Sequence, residues 1–351
     1  MDQSSGISGR RRFATYAWLV LAYNILVILW GTVVRATGSG AGCGDHWPLC
    51  EGQVIPHAAQ IATVIEFAHR MTSGIAVLLV LALVYFAFRE FAKWHSARRY
   101  ATGALLFTLT EGLLGAALVL FGQVGNNASM SRVAILSLHL VNTFLLLASL
   151  ALTAKSAGDE SVTLQGRDSD RAVAQPQSRS TGLYIAYGLG LVGTLAIAVT
   201  GTIAALGDTL FPAKSLAQGL QWDFSGAASP ILRLRIIHPV VAALVGGFLL
   251  ILAVQALSTR KSEAIKRSAR YLLGLIILQF CFGMLNLILL APLWMQVLHL
   301  LTADLVWITL VLLSAEVLGQ RAAVVAVQEQ ARKATSIIET SGPVQPTQIS
   351  R

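Results

Sequence analysis

Residues 231–257 read ILRLRIIHPVVAALVGGFLLILAVQAL. Between Arg235 and Arg260 there is no Asp, Glu, Lys or Arg, and a single histidine, His238, sits near the start of the run. A bilayer core of about 30 Å takes roughly 20 apolar residues in a helix. A lipid-exposed backbone must satisfy its N–H and C=O groups internally, so such a run reads as a transmembrane helix. Seven further stretches have the same character, near 14–34, 61–88, 100–121, 132–154, 181–206, 271–291 and 294–318. The expected fold is an all-α integral membrane protein with eight transmembrane helices.

The composition agrees. Of 351 residues, 55% are hydrophobic and 12% charged, and the mean hydropathy is +0.67. Soluble domains carry about 25% charged residues, which excludes a cytosolic enzyme. The formal charge of +9 could signal a nucleic-acid partner, but its distribution says otherwise. The N-terminus, the segments 89–99, 155–180 and 258–270, and the tail from 319 hold 20 of the 26 Lys and Arg. The positive-inside rule makes that side cytoplasmic, with both termini on it. The surplus is thus a topology signal, and the chain is expected to be multi-pass in the plasma membrane, in contact with lipid and not with nucleic acid. Arg10, Arg11 and Arg12 resemble a signal-peptide start, but the run behind them is too long and lacks an Ala-x-Ala cleavage signal, so it reads as a retained helix. The polar segment 155–180 reads as a flexible linker, and the tail 319–351 as helix-compatible at first and disordered at its end.

The linker divides the spans four and four, and the halves share small anchors. Gly31-Thr32 pairs with Gly201-Thr202 at an offset of 170, His69 with His238 at 169, Gly115 with Gly283 at 168, and His139 with His299 at 160. Anchors in the same order argue for duplication, and an even number of spans per repeat makes the halves parallel. Two pseudo-symmetric four-helix bundles are expected, 1–154 and 181–318.

Four of the seven histidines fall inside spans: His69, His139, His238 and His299. All lie on even-numbered spans at a shared depth, roughly 8–12 Å below the outer helix ends. Ionisable groups at such depth are costly and usually functional. Two histidines per bundle on facing helices suit bis-imidazole ligation of a haem iron, whereas zinc asks for three or four converging ligands. The plainer alternative is buried histidines hydrogen-bonded across helices. It accounts poorly for four at one depth, repeated across a duplication. His46, His57 and His95 fall in loops and read as surface residues.

The halves also differ. Glu66 lies three residues before His69, on the same helix face, while the corresponding stretch Arg235-Ile236-Ile237-His238 has no carboxylate. Glu66 either hangs beside a haem edge or holds its helix through an ion pair with Arg70, a role that does not explain its absence from the second half. Cys43 and Cys50 occur only in the first outer loop, which faces an oxidising compartment. They read either as a bridge stiffening a lid or as a redox pair that accepts electrons. Cys281 reads as a small buried residue. Glu111, opposite Gln279 in the repeat, and Asp304, five residues after His299, read as internally hydrogen-bonded groups, with a proton relay as the alternative for Glu111. Arg35, Arg70, Arg233 and Arg235 cluster near the outer ends, where haem propionates would need cations.

GTVVRATGSGAGCGDHWPLCEGQVIP at 31–56, EFAHR at 66–70 with its preceding residues, and the positions of His139, His238 and His299 resemble the haem A synthase family across nearly all eight spans. The resemblance implies that His69 and His139 ligate the substrate haem O, and that His238 and His299 hold a haem b cofactor. It implies that Glu66 is the essential carboxylate and that Cys43 and Cys50 are the first-loop pair. Some members carry a second pair, which the loop 207–230 lacks, and Glu111 stands where Gln is more usual. The implied reaction takes the C8 methyl of haem O through two hydroxylations to a formyl group, giving haem A for terminal oxidases. Haem O synthase, an electron acceptor of unspecified identity and a second copy of the chain are the implied partners. Two histidines on the substrate iron leave no open position for O₂. Electron removal from the methyl, Glu66 stabilising the developing cation and water supplying the oxygen then follow. One rival reading is a dihaem b-type cytochrome acting only in electron transfer, which does not require a first-half-only Glu66. The other is a transporter with parallel repeats, which would favour broken helices and paired charges near the midplane.

Overall fold

The computed structural model describes residues 3–57, 60–165, 181–226, 229–259 and 262–340. Its helices are α1 (Gln3–Ala36), α2 (Ile61–Glu90), α3 (Ser96–Leu120), α4 (Met130–Gln165), α5 (Thr181–Leu210), α6 (Leu216–Asp223), α7 (Pro230–Arg235), α8 (Ile237–Thr259), α9 (Glu263–Ile288) and α10 (Leu293–Thr340). Eight segments among the described residues are long and apolar enough to cross a membrane, and the protein is a multi-pass membrane protein.

Local chemistry sets several boundaries. His95 caps α3, its Nδ1 accepting from the Ala97 N–H at 3.1 Å, and Ser215 caps α6 through its hydroxyl. Side-chain acceptors at such positions satisfy otherwise orphaned N–H groups. The stretch read as one span at 231–257 is broken at Ile236, between α7 and α8. Pro239 is the cause: it has no N–H to donate, and its ring opposes the carbonyl four residues back, at Arg235. Arg70, the counterpart of Pro239, sits in the unbroken α2. The linker read at 155–180 begins as helix, because α4 runs on to Gln165, while 166–180 lies outside the described residues. The tail is helical to Thr340, and its last stretch, 341–351, likewise lies outside.

Helices α1 to α4 pack in order and close with α1 on α4, and α5, α8, α9 and α10 close with α10 on α5. This pattern is compatible with two four-helix bundles. The halves meet where α1 and α4 face α5 and α10. Trp307 of α10 donates from Nε1 to the Phe144 carbonyl at 2.6 Å, and the two rings stack 5.3 Å apart. Near the disulfide-bearing end, Arg35 of α1 donates to the Ala205 carbonyl and the Thr209 hydroxyl of α5 and to Gln296 Oε1 of α10, at 2.7–2.8 Å. Toward the opposite end, Lys155 pairs with Glu316 at 3.0 Å. The seam is thus tied at both ends and in the middle, around an apolar interior that includes Leu83, Leu147 and Leu150.

Candidate functional site

The four histidines fall where the repeat puts them, about two turns in from the start of the apolar segments that carry them. The paired glycines explain how the rings fit. A Cβ on Gly31 would lie 3.2 Å from His69 Cε1, and one on Gly201 would lie 3.1 Å from His238 Cε1. Each imidazole therefore rests on the bare backbone of the neighbouring helix. Gly283 supports His299 in the same way, at 3.3 Å, but a Cβ on Gly115 would meet nothing within 4 Å.

In the second half the His238 and His299 ring centroids are 6.5 Å apart, with the rings perpendicular. A metal–imidazole bond is about 2 Å long and the centroid lies ~1 Å beyond the nitrogen, so two imidazoles on one metal ion would hold their centroids about 6 Å apart. The pair therefore fits one iron held between two histidines. His238 Nδ1 is 3.2 Å from the Thr200 hydroxyl, and Gln279 Nε2 is 3.4 Å from His299 Nε2. His69 Nδ1, His139 Nδ1, His299 Nδ1 and Gln279 Oε1 are buried without hydrogen-bond partners among the described residues. Buried polar atoms are rarely left so, and of these four His139 Nδ1 has a carboxylate oxygen nearby, Glu111 Oε1 at 3.3 Å. No cluster of three or more His, Cys, Asp or Glu that could hold a metal ion occurs among the described residues.

In the first half Glu66 is buried and fully engaged. Its Oε2 accepts from the Cys43 N–H at 2.8 Å, and its Oε1 accepts from Arg70 Nε at 3.1 Å and Nη2 at 2.5 Å. Arg70 Nη1 in turn donates to the His46 and Leu49 carbonyls. Cys43 and Cys50 form a disulfide and are both buried. Thr63 donates to the Gly42 carbonyl at 2.7 Å. The ion pair thus docks the disulfide loop on α2 as well as joining two turns of helix. At the repeat-equivalent position, Arg235 pairs with Asp208 and Asp223 at 2.7 and 2.6 Å, tying α5 and α6 to the start of the sixth span.

The arginines read as propionate partners are therefore mostly committed elsewhere. Arg35, Arg70 and Arg235 hold protein acceptors. Cys281 is exposed on α9, not buried. Asp304 is fully buried, and neither of its oxygens has a partner among the described residues, so the expected internal hydrogen bond is absent. Glu111 is bonded as expected, and by residues that sequence reading missed. Asn142 Nδ2 donates to its Oε2 at 2.5 Å, Thr143 Oγ1 lies against its Oε1, and that Oε1 is 3.3 Å from His139 Nδ1. Asn142 and Thr143 stand three and four residues after His139, on its helix face. Comparing the two repeats there would have found them.

Eight spans, collinear repeats and two matched histidine pairs define a membrane protein with paired imidazoles between its helices. The family model described as cytochrome oxidase assembly protein matches residues 14–311, and the chain belongs to that family. A protoheme IX farnesyltransferase of Thermus thermophilus is 44% identical over 312 residues, 89% of this chain and 49% of that protein. A Heme A synthase of Alkalihalophilus pseudofirmus is 35% identical over 142 residues, 40% of this chain and 45% of the relative. One of Halalkalibacterium halodurans is 42% identical over 99 residues, 28% and 33% respectively. The chain spans about half the length or less of these curated relatives.

Proposed function

We propose that the chain is a haem A synthase, an oxidoreductase that converts the C8 methyl of haem O to a formyl group. The observation that carries the reading is the 6.5 Å separation of the His238 and His299 rings, close to the spacing that two imidazoles on one iron would take. Kinship with Heme A synthases supports the reaction class. His238 and His299 hold haem b, which when bound supplies one-electron chemistry. His69 and His139 hold the substrate haem O, with Gly31 leaving room for the His69 ring. Haem O synthase is the proposed source of substrate, and the cytoplasmic placement of both termini belongs to the same reading.

Glu66 is the proposed catalytic carboxylate. Its three donors fix it in place, and with Arg70 it forms a pair of zero net charge. It therefore acts on a developing cation through its fixed orientation, a preorganised dipole in a dry site. Methyl plus water to formyl releases electrons and protons in equal number; the electrons would leave to an external one-electron acceptor, and water is the proposed oxygen source. Label reaching the formyl group from ¹⁸O₂ and not from labelled water would overturn this part. Farnesyl transfer, the printed activity of the Thermus relative, has less support, because the chain matches only 49% of that protein.

The test is expression with a haem O synthase in a host that makes no haem A, followed by haem extraction. Haem A is the expected product. Intact, haem-loaded protein with no formyl haem would refute the assignment and leave a dihaem cytochrome. Glu66→Gln keeps an oxygen for the Cys43 N–H and removes the charge. Haem A formation should fall while haem stays bound in the second half.

A further inference from the structure

The two proposed haem sites share histidine ligands but not what stands behind them. In the first half, Glu111 of α3 lies 3.3 Å from His139 Nδ1, braced by Asn142 and Thr143 of α4. His139 Nδ1 is buried and makes no hydrogen bond among the described residues, and the Glu111 carboxylate is the acceptor that stands within its reach. Thr110 fixes Asn142 in turn, donating to its Oδ1 at 2.6 Å. In the second half the three corresponding positions carry Gln279, Thr302 and Ala303. Thr302 turns back to the Leu298 carbonyl, and Ala303 has no polar group. A carboxylate and both its braces are therefore present in one half and replaced together in the other. The ring positions differ as well. His299 packs on Gly283, whereas the equivalent Gly115 faces open space, and His139 instead stands beside Glu111.

We propose that Glu111 is a positioning residue for His139. It takes the Nδ1–H of His139, leaves Nε2 as the ligand, and makes His139 a stronger donor to iron than His299. The inference rests on the reading of the four histidines as haem ligands. A carboxylate on the far nitrogen of a ligating imidazole fixes the ring and raises ligand basicity. Greater donation favours the ferric over the ferrous state, so iron held in the first half sits at the lower potential. Duplicated sites with identical ligands would otherwise be matched. Gln279 is neutral, and its Nε2 lies 3.4 Å from His299 Nε2, while His299 Nδ1 has no hydrogen-bond partner among the described residues, so it does not do the same.

The test uses full-length protein loaded with haem, in a redox titration followed by visible absorption. His139→Ala and His299→Ala assign each midpoint to its half. Glu111→Gln keeps the shape and a partner for Asn142 and Thr143, so a purely structural role would leave potentials alone. The expected result is an upward shift of the midpoint belonging to His139, no shift of the other, and haem retention in the first site weaker by about 10–100-fold. The converse variant, Gln279→Glu with Thr302→Asn and Ala303→Thr, supplies the carboxylate and both braces to the second half, should lower the midpoint belonging to His299, and reads the same principle should Glu111→Gln fail to fold. Unchanged midpoints in both variants, with His139→Ala having removed one haem, would overturn the inference alone. If His139→Ala removes no haem, the ligand reading itself falls and the inference with it.

Discussion

Gly42→Ala is a small change aimed at the joint between the disulfide loop and α2. Gly42 has φ −67° and ψ −25°, a conformation open to any residue, so its backbone does not demand glycine. The approach does. A Cβ there would lie 2.5 Å from the carbonyl carbon and oxygen of Ala62 and 2.6 Å from the Thr63 nitrogen, all backbone atoms of the first turn of α2. Carbon contacts are comfortable at about 3.5–4.0 Å, so loop and helix must part by roughly 1 Å. That movement breaks the Cys43 N–H bond to Glu66 at 2.8 Å and the Thr63 bond to the Gly42 carbonyl at 2.7 Å. A hydrogen bond to a charged group contributes about 1.5–3 kcal/mol and a neutral one about 1 kcal/mol. Losing both weakens docking by roughly 3 kcal/mol, on the order of 100-fold in the population of the opened loop. Cys43 and Cys50 are buried in the docked state, so reduction by a dithiol reads that opening. In purified protein, Gly42→Ala should be reduced about 100-fold faster than wild type. Gly188→Ala, where a Cβ meets nothing within 4 Å, should match wild type. Equal rates for Gly42→Ala and wild type would refute the account of how the loop is held.

Two further perturbations test the site and the seam. Gly201→Val drives a branched side chain into the His238 ring, which already lies 3.1 Å from the nearest Cβ position. It should remove the second-half haem and spare the first, as read by haem-to-protein ratio. Trp307→Phe leaves the buried Phe144 carbonyl without its 2.6 Å donor. It should cost about 1–3 kcal/mol, seen as a lower unfolding temperature in detergent with both haems still bound.

Much of the fold is legible in the sequence because the bilayer simplifies the code. Spans are long apolar runs, and duplication fixes which histidines correspond. What the periodicity does not reach is the set of interactions between segments far apart in sequence. Nothing local to Arg35 says that its guanidinium crosses to Ala205, Thr209 and Gln296. For that reason Arg35, Arg70 and Arg235, which read as propionate partners, hold protein acceptors instead. The break at Ile236 is legible in principle, since Pro239 denies Arg235 a hydrogen bond, but an uninterrupted hydropathy profile masks a one-residue discontinuity. Cys281 departs from its expected burial because in a membrane protein a lipid-facing position is apolar and exposed at once, so hydrophobicity does not imply burial.

The sign of the charge at one repeat position bears most directly on function. Glu66 and Arg235 are equivalent at the offset that pairs His69 with His238. Both fasten the neighbouring loop region of their own half. Glu66 takes the Cys43 N–H and the Arg70 guanidinium, and Arg235 takes Asp208 and Asp223. Anchoring is therefore met by either charge, because each half supplies partners of the opposite sign. Structure alone does not select a carboxylate three residues before the histidine. The choice of a negative group in one half, on the helix face that carries His69, needs a reason beyond holding the loop. On the proposed reaction, stabilising positive charge as a methyl group is oxidised would be such a reason, and the half with Arg235 has no carboxylate at the equivalent position. A Glu66→Gln protein that keeps a slow-reducing disulfide yet makes no haem A would separate the two roles. If the docked loop alone restored full activity, anchoring would be the whole of what Glu66 does.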